Sequence, residues 1–276
     1  MKQTFLRHAV ATLLFTLVAT VHAWAEADWF TQGERLQYDI TWKFLHAGKA
    51  EVLYRPEGQA DAAGDAATYS IVARAWTTLY YPKLLERLRV SGSLNPETPF
   101  RPTEFEQMQV ENNYKADKIT VFDYAKGEAR YDNLRNKAKG EGQQVLEINS
   151  QVRDILSTLY FMRKAADWNT PFAAVPILNL DRPYVLRVEV GAPEFMRTKT
   201  GKLTVRRVQP YLTPVGDGKK PKDQWTLWVT DDARRIPLRI DLVSRFGTFS
   251  ATLTGVGTAD SQSIAPREIP EKAPLF

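Results

Sequence analysis

The chain has 276 residues, with 37 Lys and Arg against 32 Asp and Glu for a formal charge of +5, three His and no Cys. Without cysteine there is no disulfide framework, thiolate nucleophile, Cys-ligated zinc or iron–sulfur cluster, so stability must come from an apolar core. The mild, scattered positive charge is not the broad basic surface that nucleic acid requires, and the cluster Lys219, Lys220 and Lys222 beside Gly218 and Pro221 reads as a solvated loop.

The chain opens with Lys2 and Arg7, an apolar run over 9–21 and then Ala23-Trp24-Ala25. A basic start, a short apolar run and a small-x-small site predict a secretory signal peptide over 1–25, too short to serve comfortably as a membrane span. The expected product is periplasmic, with no transmembrane helix. It is released rather than lipid-anchored, because no cysteine is present to carry a lipid. Its single β-rich domain is expected over 26–258, followed by a tail over 259–276 spaced by Pro266, Pro270 and Pro274. His8 and His22 leave with the leader. The remaining His46 excludes a multi-histidine metal centre, and neither a metal nor a cofactor is expected.

Period-two alternation then dominates. Leu36, Tyr38, Ile40, Trp42 and Phe44 alternate with Gln37, Asp39, Thr41 and Lys43, which predicts a half-buried strand. A hairpin tip is expected over 44–48, with the chain resuming at Ala50 after an Ala47-Gly48 turn. Further strands are read over 69–76, 103–111, 118–124 and 128–132, and a short helix over 79–88. Ser150, Val152, Ile155, Leu156, Leu159 and Met162 carry helical spacing, which predicts a helix over 150–164 capped by Ser150 or Asn149. Strands return over 184–190, 202–208, 225–229, 236–243 and 249–253. Strands, one helix, then strands predicts a mainly β protein: an antiparallel curled sheet or barrel-like domain with one packed helix.

Three segments carry a resemblance. They are Gly33-Glu34-Arg35-Leu36-Gln37-Tyr38-Asp39-Ile40, Ala47-Gly48-Lys49-Ala50, and the run Trp228-Val229-Thr230-Asp231-Asp232-Ala233-Arg234-Arg235-Ile236-Pro237-Leu238-Arg239. Together they resemble the bacterial envelope family known as domain of unknown function 3108, over nearly all of 30–256. The resemblance implies an exported β-rich protein, similar in outline to the curved-sheet lipoprotein carriers of the periplasm, and it brings no catalytic motif.

Candidate chemistry is sparse. Asp231-Asp232, between two strands and beside Arg234 and Arg235, fits a turn better than a cation site. Glu104 and Glu106 share one strand face about 6.6 Å apart, a spacing compatible with two-carboxylate chemistry, though a solvated charged face fits them better. Phosphate loops, dinucleotide fingerprints and zinc-protease signatures are absent, and Gly140-Glu141-Gly142 leads into a strand rather than a helix. The aromatic residues are the most suggestive group. Tyr38, Trp42, Trp76, Phe122 and Trp225 are the candidate ligand-binding residues of a pocket for an apolar or amphipathic molecule, although plain core packing is the favoured reading of such residues in a chain this long. Trp228, on the face opposite Trp225, is a candidate contact surface. The leading expectation is a non-enzymatic periplasmic protein that binds a lipid-like envelope component or an envelope protein. An envelope glycan or ester hydrolase using Glu104, Glu106 or Asp231, and a scaffolding partner in envelope assembly, stay open as alternatives.

Overall fold

The computed structural model describes residues 29–58, 67–78, 83–135, 142–164, 167–168, 174–198, 201–216, 223–244 and 246–259. The expected leader, the lysine cluster at 219–222, Gly140, Glu141 and most of the Pro-spaced tail lie outside the described residues.

A short turn of helix, α1 (Trp29–Gln32), leads into β1 (Glu34–Trp42), β2 (Leu45–Glu57), β3 (Thr68–Thr77), β4 (Leu84–Ser93), β5 (Arg101–Glu111), β6 (Tyr114–Asp123), β7 (Glu128–Asn133) and β8 (Gln143–Glu147). The helix α2 (Ile155–Lys164) follows. The second set comprises β9 (Val175–Asn179), β10 (Arg182–Thr198), β11 (Gly201–Pro214), β12 (Gln224–Thr230), β13 (Pro237–Ser244) and β14 (Gly247–Gly257).

All fourteen strands form one antiparallel sheet in the order β8-β7-β6-β5-β4-β3-β2-β1-β14-β13-β12-β11-β10-β9. Two meanders run in opposite directions from the central β1–β14 pair, where the two ends of the domain meet. The ladder is open, since β8 and β9 do not pair. If flat, such a sheet would hold these edges about 60 Å apart. Instead, Leu178 and Leu180, at the β9 end, share a buried cluster with Phe122, Ala129 and Tyr131 of β6 and β7. Arg153, six residues beyond β8, accepts the Leu178 amide at 2.9 Å. The sheet therefore bends around its own core and is barrel-like without being a closed barrel.

Opposed residues in an antiparallel ladder share a face, so the registers define an inner face. Tyr54, Ile71, Val90, Phe105, Thr120 and Tyr131 stand opposite one another across β2 to β7, and all are buried. Onto this row packs α2, through Leu156 and Tyr160. Tyr160 stacks on Tyr54 with ring centres 4.9 Å apart.

Three expectations are corrected. The first hairpin turns at Lys43-Phe44, not at Ala47-Gly48, which lies inside β2. A two-residue turn with both φ positive, 46° and 76°, matches the twist of the flanking strands. Gly48 is needed for a different reason: a Cβ there would lie 2.3 Å from the Trp76 carbonyl oxygen of β3. Gly48→Ala should cost about 1–3 kcal/mol as the strands are forced apart, read as a lowered urea midpoint; an unchanged midpoint would show that this approach has slack. Second, the helix read over 79–88 is strand β4 from Leu84 on. Leu84, Leu85 and Leu88 fit either period, and pairing with β3 and β5 decides. Third, α2 begins at Ile155, because Arg153 bridges to Ile177 of β9 and Asp154 is the cap.

Candidate functional site

The inner face is filled at one end and open at the other. The helix-covered end is where β1 begins, at Glu34, and the uncovered end is where β1 stops, at Trp42. Along that direction the inner residues of β2 and β3 become small: Val52, Ala50 and Gly48 on one strand, Ala73 and Ala75 on the next. These form a floor with little side-chain volume.

One side of the floor is aromatic and aliphatic. Trp42 stands opposite Phe249, Phe249 opposite Leu242, and Leu242 opposite Trp225, one row across β1, β14, β13 and β12. Behind it Ile40, Ala251, Ile240 and Leu227 form a second row in the same register. Trp42 stacks on Phe249 with ring centres 6.2 Å apart and donates its indole N–H to the Phe246 carbonyl at 3.0 Å. The row is only half-buried, and Trp225 keeps 38% of its surface exposed.

The other side is polar. Glu86 of β4 and Gln107 and Gln109 of β5 lie on the inner face beyond Ala75, half-buried, with the Gln107 amide donating to the Glu86 carboxylate at 2.7 Å. An apolar row at the open end, small residues on β2 and β3, and polar residues on β4 and β5 level with Tyr38 and Leu36 thus share the inner face. Apolar surface with a few polar groups beside it suits an amphiphile.

Of the five residues expected to line a pocket, the fold brings Trp42 and Trp225 into one row. Tyr38 lies beneath it, buried, its hydroxyl donating to the Pro237 carbonyl at 3.0 Å. Phe122 is in the main core, stacked on Tyr124. Trp76 is on the outer face, opposite Lys49 and Leu85. The five do not converge. Phe249, Leu242 and the alanine floor are the additions, and they are invisible without knowing that β1 pairs with β14. Trp228 is on the outer face but not free: its indole donates to Glu194 at 3.1 Å and the Arg239 guanidinium lies 5.2 Å above its ring.

The carboxylate candidates are placed elsewhere. Glu104 and Glu106 share the outer face of β5, where Glu106 is held by Arg87 and Arg89, each at 3.6 Å. Partial burial, then the neighbouring Glu106 carboxylate, raise the Glu104 pKa, against the pull of Arg89. Asp231 pairs with Arg206 at 2.6 Å, and Asp232 accepts the Arg234 and Arg235 amides at 3.0 Å, closing the expected turn. A cleft of about 410 Å³ opens here at the C-terminus of α2, lined by Arg163, Lys164, Arg206, Asp231 and Arg235 among others. Its charges are engaged with the protein: Arg206 with Asp231, Arg163 with Glu34, and Arg235 with the Met162 and Arg163 carbonyls. Among the described residues no three His, Cys, Asp or Glu side chains are grouped to hold a metal ion.

The family model described as "Protein of unknown function (DUF3108)" matches residues 37–254. The chain belongs to the DUF3108 family. No curated protein matches this DUF3108 chain. Among solved structures it is similar to a β-barrel-like protein of the DUF1849 family from Brucella abortus, at 12% identity and a TM-score of 0.53, covering 83% of this chain and 98% of that one. At that identity the likeness shows the fold alone. A candidate lipoprotein from Parabacteroides distasonis matches at 10% identity over 83% of this chain and 96% of its own, with a TM-score of 0.27 that carries no argument. Among the described residues no helix of this DUF3108 chain is long and apolar enough to cross a membrane.

Proposed function

We propose that this DUF3108 chain is an exported, non-enzymatic binding protein of the periplasm whose inner sheet face holds an amphipathic envelope component bearing an acyl chain. One observation carries the reading: the row Trp42, Phe249, Leu242 and Trp225 continues the core on the inner face yet keeps access to solvent. Core packing would bury such a row, and burying it fully is worth roughly 1.5–3 kcal/mol per large side chain. A ligand chain laid along it recovers that energy, while Glu86, Gln107 and Gln109 provide hydrogen-bonding groups for a polar head. The segment read as a leader over 1–25 supports export.

Titration with a fluorescent fatty-acyl probe tests this. Trp42→Ala should weaken uptake about tenfold or more with the fold retained, as removal of a central aromatic anchor does. Trp76→Ala, an equal truncation on the outer face, should leave uptake unchanged. Equal effects of the two variants, or no uptake by the parent chain, would refute the groove.

A further inference from the structure

The two hairpin tips beside the open end are built against folding economy. Lys43 and Phe44 both adopt left-handed φ, 46° and 76°, in a turn for which Asn-Gly is the unstrained choice. Phe44 gains no burial in return: it is 101% exposed, and Leu45 beside it is 59% exposed. The β13–β14 tip repeats the display with Phe246 at 59% and Val243 at 45%. The tips are adjacent, since the Lys43 amide reaches the Thr248 carbonyl at 3.4 Å and the Trp42 indole reaches that of Phe246 at 3.0 Å. Neither 42–49 nor 243–252 contains an Asp or Glu; Lys43 is exposed, while Lys49 pairs with Asp39 at 3.3 Å.

We propose that these paired tips dock on an anionic lipid bilayer. Four apolar side chains on two neighbouring turns would enter the headgroup and upper acyl region, where aromatic rings are favoured, while Lys43 meets the lipid phosphates. A protein groove would require a shaped counterpart, whereas a bilayer accepts loosely arranged, exposed side chains and attracts turns that themselves carry lysine and no carboxylate. Trp42 joins the two devices, as the last residue of β1 before the tip and the first of the apolar row. Docking therefore sets the open end of the groove against the membrane. The inference goes beyond ligand binding and does not require a loaded groove.

The test is co-sedimentation with vesicles of phosphatidylglycerol and phosphatidylethanolamine, compared with phosphatidylcholine alone. Parent and variants are used in the same processed form, with the N-terminus read by mass spectrometry. Binding should favour the anionic vesicles, weaken with salt, and fall at least tenfold in Phe44→Ser combined with Phe246→Ser. The combination Lys43→Asn with Phe44→Gly should lose vesicle binding while its melting temperature rises, because the turn is relieved. Absent vesicle binding, binding indifferent to these changes, or a lowered melting temperature in the turn variant would each overturn the proposal. Probe uptake without vesicle binding would refute docking alone, and vesicle binding without probe uptake would refute the groove alone.

Discussion

Glu34→Ala should cost about 3–5 kcal/mol, because it strands a buried cation. The Glu34 and Arg163 side chains are 1% and 2% exposed. Arg163 meets both carboxylate oxygens, with Nη2 at 3.1 Å from Oε2, and Tyr160 donates its hydroxyl to Oε1 at 3.0 Å. The same guanidinium donates to the Arg235 carbonyl through Nε at 3.0 Å and to the Arg234 carbonyl through Nη2 at 2.9 Å, and lies 4.5 Å from the Trp29 ring centre. Burial disfavours the Arg163 charge, but the Glu34 carboxylate outweighs it and the pKa is raised. One arginine thus ties the start of β1, the end of α2 and the β12–β13 turn. Urea unfolding should show a large drop in midpoint with an unchanged slope. Adding Arg163→Met to Glu34→Ala should recover part of the loss, since the pair is worth less than its broken halves. A single-variant loss under 1 kcal/mol would contradict this account.

The second large effect is a pH dependence centred on Asp154. Its Oδ1 caps α2 by accepting the Leu156 and Ser157 amides at 2.8 and 3.1 Å, and Oδ2 accepts the Ser157 hydroxyl, which also meets the Tyr69 hydroxyl at 2.7 Å. The residue is fully buried. Burial pushes the carboxyl up to about 6 from 3.8, with the hydrogen bonds from Ser157 and Leu156 opposing. A folded pKa above the unfolded one means that the folded state binds more protons between the two values. The contribution to stability is fully present below about 3.8 and is lost as pH rises through about 6, a change on the order of 3 kcal/mol. Asp154→Asn keeps the cap and removes the titration. The stability difference between parent and variant should therefore change across this window and be flat outside it. A constant difference from pH 3 to pH 8 would contradict the assignment. Asp154→Ala should be destabilised throughout, by about 2 kcal/mol or more, with buried donors left unpaired.

Most strands were legible because alternation reports a face locally. Leu36 to Trp42 lies within β1, and Leu238, Ile240 and Leu242 of the alternation read from Ile236 lie within β13. The segments that misled were those where two readings share a pattern. The leucines of β4 fit a helix or a strand until β3 and β5 claim them, and Val152 extends a helical stripe through a turn that Arg153 pins to β9. The hairpin tip was misplaced because Gly48 reads as a turn glycine, whereas its lack of a Cβ serves the close approach of β3. The candidate site was half legible. Aromatic content pointed to Trp42 and Trp225, but their union depends on the β1–β14 pairing across more than two hundred residues, which no local pattern encodes. The β1–β2 and β2–β3 registers put Trp76 on the opposite face from Trp42, although both belong to alternating aromatic strands.

The most direct measurement is native mass spectrometry of the protein purified without detergent from its own compartment, followed by organic extraction. A discrete added mass that extracts as an acyl-bearing amphiphile, and that is diminished in Trp42→Ala but not in Trp76→Ala, is the predicted result. A clean apo mass for the parent chain, together with no uptake of added lipid, would contradict the binding role of the inner face.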